Sequence, residues 1–387
     1  NKSVWAQIKE LYAVQIEPSS DRQLAETFFN SITRRIFVTI GVDPQIEFIS
    51  RHFEDRSADN SPNVYLEYEN FVSTADLARS ILKDTELAAG FGSLEVEVEL
   101  CAAQINTAIE ATGRSIENFQ AQMVTSIFYR GKGAFLIGCL KDGAIHMPLV
   151  FALLNTPNGV IVDCLLTDED DVSVLFSFTR AYFHVAVKSP DALVGFLKNI
   201  LPKKKVAELY IALGFHKHGK TEFYRELLEH LDTCGLERFD ISAGTPGMVM
   251  VVFNMPGHDL VFKLIRDRFG TSKQTTRREV MDKYALVFKH DRVGRLVDAL
   301  SFEHLKFDTG CFSEQLLDEL KMHTRGSVQI DQNHLIIDHA YVQRRVIPLD
   351  MFLQQAQAAD ALKAVIDLGH AIKEMALSNI FAGDFLL

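Results

Sequence analysis

The sequence predicts an α+β protein of two domains. A mainly helical domain over residues 1–236 carries a small β-meander, and a strand-rich domain follows over residues 237–387. Three observations predict this. Apolar residues recur near helical spacing through the first part of the chain and again after Asp168. Short apolar runs parted by turn residues replace them between Ala134 and Leu166, and once more after Phe239. The 387 residues are 47% apolar, enough for more than one buried core.

In the helical part, Ser19-Ser20-Asp21 can cap a helix reaching about Phe37, with Leu24, Phe28, Ile32 and Ile36 along one side. Ser73-Thr74 starts another, carrying Leu77, Ile81 and Leu82. Leu94–Ala111 and Ile116–Tyr129 read as a helical pair split at Thr112-Gly113-Arg114, and residues 54–63 as a polar loop. The meander is Ala134–Leu140, Ile145–Asn155 and Val160–Leu166, separated by Lys141-Asp142-Gly143 and Thr156-Pro157-Asn158-Gly159.

The acidic run Asp168-Glu169-Asp170-Asp171 precedes a helix expected over Val172–Val187. Carboxylates at a helix start meet its positive dipole end, which explains the run better than a metal site. Helices follow from Ser189-Pro190-Asp191 and over Glu208–Leu231. His216-Lys217-His218-Gly219-Lys220 reads as a solvated basic turn, because no cysteine or third histidine nearby completes a metal-ligand set.

Charge and composition exclude several function classes. A formal charge of −11 disfavours nucleic acid as a partner, since phosphate backbones demand a basic footprint. No apolar run approaches the ~20 residues that cross a bilayer, so no membrane association is expected. The opening residues lack the basic and apolar regions of a signal peptide, and without an initiator Met the start is read as trimmed. Cys101, Cys139, Cys164, Cys234 and Cys311 form no CxxC pair, so a reduced, cytoplasmic protein with buried thiols is expected.

The stretch around which the chain is organised runs from Phe239 to Arg268. It reads as strands Phe239–Ile241, Met248–Phe253 and Leu260–Ile265. Ser242-Ala243-Gly244-Thr245-Pro246-Gly247 turns between the first two, and Met255-Pro256-Gly257-His258 between the last two. Lys263 sits inside the third apolar run, where an ammonium calls for an anion. Backbone N–H groups of a glycine turn can close on phosphates. Against the protein-kinase pattern G-x-G-x-x-G-x-V and V-A-I-K, Gly244, Gly247 and Val249 fall at the second glycine, third glycine and valine. Ser242 replaces the first glycine, and Lys263 ends Leu260-Val261-Phe262-Lys263. The alternative is an edge-strand lysine whose stem snorkels to water.

Later elements follow the same plan. Helix Thr275–His290 offers Glu279, with Asp282 behind it, as an acid to orient the lysine, though either could be a solvated surface charge. A strand is expected within Asp291–Leu300, a helix over Ser313–His323, and strands over Gly326–Ile330, His334–Asp338 and Tyr341–Ile347. Helices Met351–Ala358 and Ala359–Ser378 close the chain. A β-rich lobe would then span about 237–349, with a helical lobe beginning over 350–387.

The segments GTPGMVMVVFNMPGHDLVFKLIRDRFG, FKHDRVGRLVDAL, AYVQRRVIPLD and SNIFAGD resemble bacterial isocitrate dehydrogenase kinase/phosphatase. So do ELYIALGFHKHGKTEFYREL and TDEDDVSVLFSFTRAYFHV upstream, and the similarity extends across the chain. The resemblance implies a helical regulatory domain followed by a protein-kinase-like bilobal domain, here truncated in its helical lobe. It implies a bifunctional cytoplasmic enzyme that phosphorylates a serine of isocitrate dehydrogenase and also removes the phosphate, controlling entry into the glyoxylate bypass. ATP with Mg²⁺ or Mn²⁺ would serve it, AMP would tune it, and a homodimer is left open.

Residue by residue, the family's ATP loop falls on Ser242, Ala243, Gly244, Thr245, Pro246, Gly247 and Met248, and its ATP-contacting lysine on Lys263. The aspartate associated with phosphatase activity falls on Asp298, and the catalytic aspartate of the kinase on Asp384, preceded here by Ala382-Gly383 rather than His-Arg. The metal-binding asparagine that kinases carry about five residues later would lie beyond Leu387. No metal ligand is therefore assigned, and a chain ending there is expected to turn over neither reaction. The alternative is a catalytically inactive, kinase-like nucleotide-binding regulatory module.

Overall fold

The computed structural model describes residues 1–49, 64–143, 145–177, 181–233, 237–243, 247–270, 275–290, 299–377 and 379–380. Helix and sheet are mixed throughout, and the chain divides into two compact units. One comprises Leu11–Thr27 and Ser50–Phe223; the other comprises Asn1–Glu10, Phe28–Ile49 and Tyr224–Leu387.

Helices α1 (Lys2–Ile16) and α2 (Arg22–Ile36) open the chain. After β1 (Tyr65–Tyr68), Ser73 caps α3 (Thr74–Asp84) by accepting from the Asp76 amide, and α4 (Leu94–Ala111) follows with the expected bounds. The second helix of the expected pair does not form. Ile116–Asn118 is a single 3₁₀ turn, and the residues after it make β2 (Gln120–Val124) and β3 (Phe128–Arg130).

The apolar spacing that suggested a helix has another origin. Phe119, Met123 and Ile127 enter one core, while Val124 and Phe128 enter another on the opposite side of the sheet. A strand buried on both faces loses the polar alternation that betrays it.

The three expected meander strands are β4 (Gly133–Asp142), β5 (Ile145–Thr156) and β6 (Gly159–Leu166). They belong to a larger sheet of seven strands among the described residues, completed by β1, β2, β3 and a short β7 (His184–Val185). One edge of β4 pairs with β5 along its length, and the other takes β3 and then β2. Leu136, Leu140, Leu149 and Phe151 face a core covered by α3 and α4, whereas Ile137, Cys139 and Val150 face the other.

That second core is covered by α5 (Glu169–Leu175), α6 (Pro190–Ile200) and α7 (Val206–Ala212). Where β2 crosses β4, a Cβ on Gly138 would lie 2.2 Å from the Gln122 carbonyl oxygen and 2.3 Å from the Met123 sulfur. Gly138→Ala is expected to lower unfolding free energy by about 1–3 kcal/mol through overpacking, as read by urea denaturation.

The acidic run behaves as a cap. Asp168 accepts from the amides of Asp170 and Asp171, and the helix it starts is only seven residues long rather than reaching Val187. Ser189 caps α6 as its sequence suggested. The helix expected over Glu208–Leu231 is two, α7 and α8 (His216–Thr233). Gly214, at φ +87°, ends the first: its amide reaches the Ile211 carbonyl and that of Phe215 reaches the Tyr210 carbonyl. This paired closure favours glycine at the left-handed position.

His216–Lys220 is therefore the first turn of α8 and not a solvated turn. His218 is buried, shares a 2.8 Å hydrogen bond with the Thr27 hydroxyl and sits edge-on to Tyr210. Cys101 and Cys139 are buried, and desolvation pushes both thiols up to about 12; Cys164 is exposed, against expectation. Among the described residues no helix is long and apolar enough to cross a membrane.

In the other unit, β8 (Asp240–Ile241), β9 (Met250–Asn254) and β10 (Leu260–Ile265) match the three strands read from the sequence. Next come α9 (Arg277–His290), β11 (Ala299–Asp308), α10 (Glu314–His323), β12 (Val328–Ile330) and β13 (His334–Arg344). The expected break within β13 is absent. His339 lies buried there, hydrogen-bonded through Nε2 to the Ser301 hydroxyl on β11 at 3.0 Å, so a polar residue does not end the strand.

The sheet order is β11-β13-β10-β9-β8, with β12 beside the first half of β13. α11 (Leu349–Gln355) and α12 (Ala358–Leu377) follow near their expected bounds.

Candidate functional site

Alternation along β10 assigns its side chains to two faces. Phe262 and Leu264 point to one, and Val261, Lys263 and Ile265 to the other. Phe262 pairs with Phe253 across the strands and stacks on it at 5.3 Å, with an interplanar angle of 10°. Phe239, Phe307 and Phe312 close around this pair, so the first face is a dry aromatic layer.

On the opposite face Lys263 stands between Val252 of β9 and Tyr341 of β13. It is the one half-buried position in an otherwise buried strand. Desolvation holds its ammonium below the usual lysine range. Among the described residues no hydrogen-bond or ion-pair partner meets it. A cation in that setting is matched to an incoming anion.

Helix α9 covers one end of the Lys263 face. Val280 packs with Ile265, Ala299 and Tyr341, and the Tyr284 ring stacks on Tyr341 at 3.9 Å. Burial first, and the neighbouring Tyr284 second, push the Tyr341 phenol up to about 12. Glu279, proposed to orient the lysine, is occupied elsewhere. It is exposed, and its carboxylate accepts from the Thr276 amide at 2.7 Å and the Thr275 hydroxyl at 3.1 Å. With the Glu279 amide on the Thr276 hydroxyl, this is a capping box. These contacts hold the carboxyl below its usual range, the Thr276 amide contributing most. Asp282 is exposed as well.

The small-residue turn is anchored at both stems. On the entry side, the Ser242 amide donates to the Val252 carbonyl at 3.0 Å and its hydroxyl to Asn254 Oδ1 at 2.7 Å. Ala243 follows, and Gly244, Thr245 and Pro246 lie outside the described residues. On the exit side stand Gly247 and an exposed Met248. There Arg266 donates from its amide to the Val249 carbonyl at 2.9 Å and from Nε to the Gly247 carbonyl at 3.2 Å.

The structure thus places Ser242, Gly247, Met248 and Lys263 on or at the ends of strands of one sheet. Asp298 and Asp384 lie outside the described residues. The sequence reading missed Arg266, His339, Ser301, Tyr284 and Tyr341. For Arg266 a signal existed, a second cation three residues past Lys263. The others needed the register of β11 and β13.

After β13, Arg344 Nε approaches Asp259 Oδ2 at 3.4 Å and the Arg345 amide donates to the Asp259 carbonyl, tying the exit of the sheet to the β9–β10 turn. A cavity of about 590 Å³ lies in the other unit, lined by Ser126, Tyr129, Tyr182, His184 and Phe215 among others. None of the described candidate site residues read from the sequence borders it.

Comparisons with known proteins agree across the whole length. Residues 1–235 match the family described as isocitrate dehydrogenase kinase/phosphatase (AceK), regulatory domain, and residues 237–387 match the kinase domain of the same family. The chain is 47% identical over 386 residues to an isocitrate dehydrogenase kinase/phosphatase of Anaeromyxobacter sp. (strain Fw109-5), covering 99% of the chain and 66% of that relative. It is 42% identical over 387 residues to that of Anaeromyxobacter dehalogenans, covering all of the chain and 66% of the relative. To isocitrate dehydrogenase kinase/phosphatase 2 of Pseudoalteromonas translucida it is 37% identical, covering all of the chain and 68% of that relative. The chain thus spans about two thirds of the length of the relatives it matches.

Proposed function

The chain belongs to the isocitrate dehydrogenase kinase/phosphatase family, and from that premise we propose that residues 237–387 bind ATP on a protein-kinase-like β-rich lobe. The protein phosphorylates a serine of isocitrate dehydrogenase and removes the same phosphate, setting flux between the citric acid cycle and the glyoxylate bypass. Residues 1–236 act as its regulatory domain, with AMP as effector.

One observation carries the nucleotide reading. The Lys263 ammonium stands half-buried on an otherwise apolar strand, and its neighbour across the sheet, Val252, accepts from the amide of Ser242 at the entry stem of the small-residue turn. Lys263 would neutralise phosphate oxygens, and Ser242 through Met248 would cover them with backbone N–H groups. Asp384 would accept the substrate hydroxyl's proton, and Asp298 would position water for the reverse cleavage.

Mg²⁺ or Mn²⁺ supplies charge neutralisation between phosphates in this chemistry. Among the described residues no group of three His, Cys, Asp or Glu could hold an ion, so no step here is routed through one.

The test is calorimetric titration of the chain with ATP, followed by incubation of the protein extended to the length of its relatives with γ-labelled ATP and isocitrate dehydrogenase. Saturable one-site ATP binding is expected. No heat of binding at millimolar ATP would defeat the reading. A second reading, nucleotide binding without turnover, is favoured by the engagement of Glu279 in its own helix cap. Labelled serine on isocitrate dehydrogenase would decide against it.

A further inference from the structure

We propose that Arg266 and Glu319 form a clamp that positions the exit stem of the nucleotide turn, Gly247 and Met248, so that α10 influences ATP affinity. The proposal rests on the nucleotide reading above and adds two positioning residues to it.

Arg266 lies just past β10, three residues after Lys263. Its amide donates to Val249, its Nε donates to Gly247, and its Nη2 donates to Glu319 Oε1 at 2.8 Å. One guanidinium therefore joins the exit stem of the turn to a helix that forms no part of the turn. The planar fork makes this possible, since its donors diverge at fixed angles while a lysine offers a single point charge. Both side chains are largely shielded, at 12% and 25% exposure, so the pair is not the solvent-screened kind that contributes little.

α10 is itself a firm support. Ser313 caps it, and Leu316 and Leu320 are fully buried. Beside the clamp, the Asp267 amide donates to the His323 carbonyl and the Gly326 amide donates to the Asp267 carboxylate. Two consecutive residues after β10 thus tie α10 and its exit to the stem of the turn. The Gly247 carbonyl shares a planar peptide unit with the Met248 N–H, so holding the one fixes where the other aims.

The experiment measures ATP affinity and melting temperature for five proteins: wild type, Lys263→Met, Arg266→Met, Arg266→Lys and the reversed pair Arg266→Glu/Glu319→Arg. Arg266→Met is expected to raise the ATP Kd about tenfold, the loss of one charge-assisted anchor. Arg266→Lys should recover part of this. The reversed pair should regain melting temperature through its ion pair but not affinity, because no donor is left for Gly247.

Restoration of both quantities by the reversed pair would make the clamp structural only and overturn the proposal. An ATP Kd within about twofold of wild type in Arg266→Met, while Lys263→Met has lost binding, would do the same. Should Arg266→Met fail to fold, Glu319→Gln keeps the shape and one acceptor. It is expected to raise the Kd about threefold at an unchanged melting temperature, and an unchanged Kd overturns the proposal. Absence of ATP binding by wild type would instead remove the nucleotide reading, and the clamp with it.

Discussion

Lys263→Met is expected to weaken ATP binding roughly ten- to a hundredfold, the range of a charge-assisted contact worth about 1.5–3 kcal/mol. The same substitution is expected to raise the melting temperature at neutral pH. Burial holds the Lys263 ammonium below its ordinary pKa, so the folded state binds that proton less firmly than the unfolded chain does. The sign follows from linkage: wild-type stability rises with pH between the lowered folded value and the ordinary one, and below that window the buried charge costs stability. Methionine has similar length and no charge, so it escapes that cost. Calorimetry for affinity and thermal melts at neutral and alkaline pH check both halves. Equal ATP affinity in mutant and wild type would return the residue to a lysine whose stem merely snorkels to water.

Phe262→Ala, one residue earlier, is expected to act on stability alone. The ring is 1% exposed and lies among Phe239, Phe253 and Phe307. Truncation to Ala removes its transfer free energy and leaves a cavity, a loss of about 3–5 kcal/mol in unfolding free energy by urea titration. ATP affinity, measured where the variant is still folded, should stay near wild type because the ring points away from the lysine face. A large affinity loss without destabilisation would contradict the assignment of faces.

How much of this was legible in the sequence depends on burial. The helix starts at Ser73, Asp168, Ser189 and Ser313 were readable because each of these side chains caps amides two or three residues away, a local pattern. The strands β8, β9 and β10 were readable because their turns carry glycine and proline.

The helix expected at Ile116–Tyr129 failed because a doubly buried strand and a buried helix can show the same apolar spacing. Gly214 was passed over inside a helical pattern, although one left-handed residue there separates two helices. Within the site, Lys263 and the flanks of the turn were named from local pattern and family resemblance. Arg266, Glu319 and the Tyr284–Tyr341 stack bring together residues more than fifty positions apart, and no local pattern records such pairings.

The two faces of the β10 sheet have a consequence for how such a lobe can change over generations. Its folding rests on the phenylalanines behind it and on Ile265, Val280, Ala299 and Tyr341 packed in front, so on the front face it is the half-buried Lys263 position that is open to revision. A descendant could exchange the cation at Lys263 and still persist as a folded domain. At that one position, selection on what the face binds is largely decoupled from selection on folding.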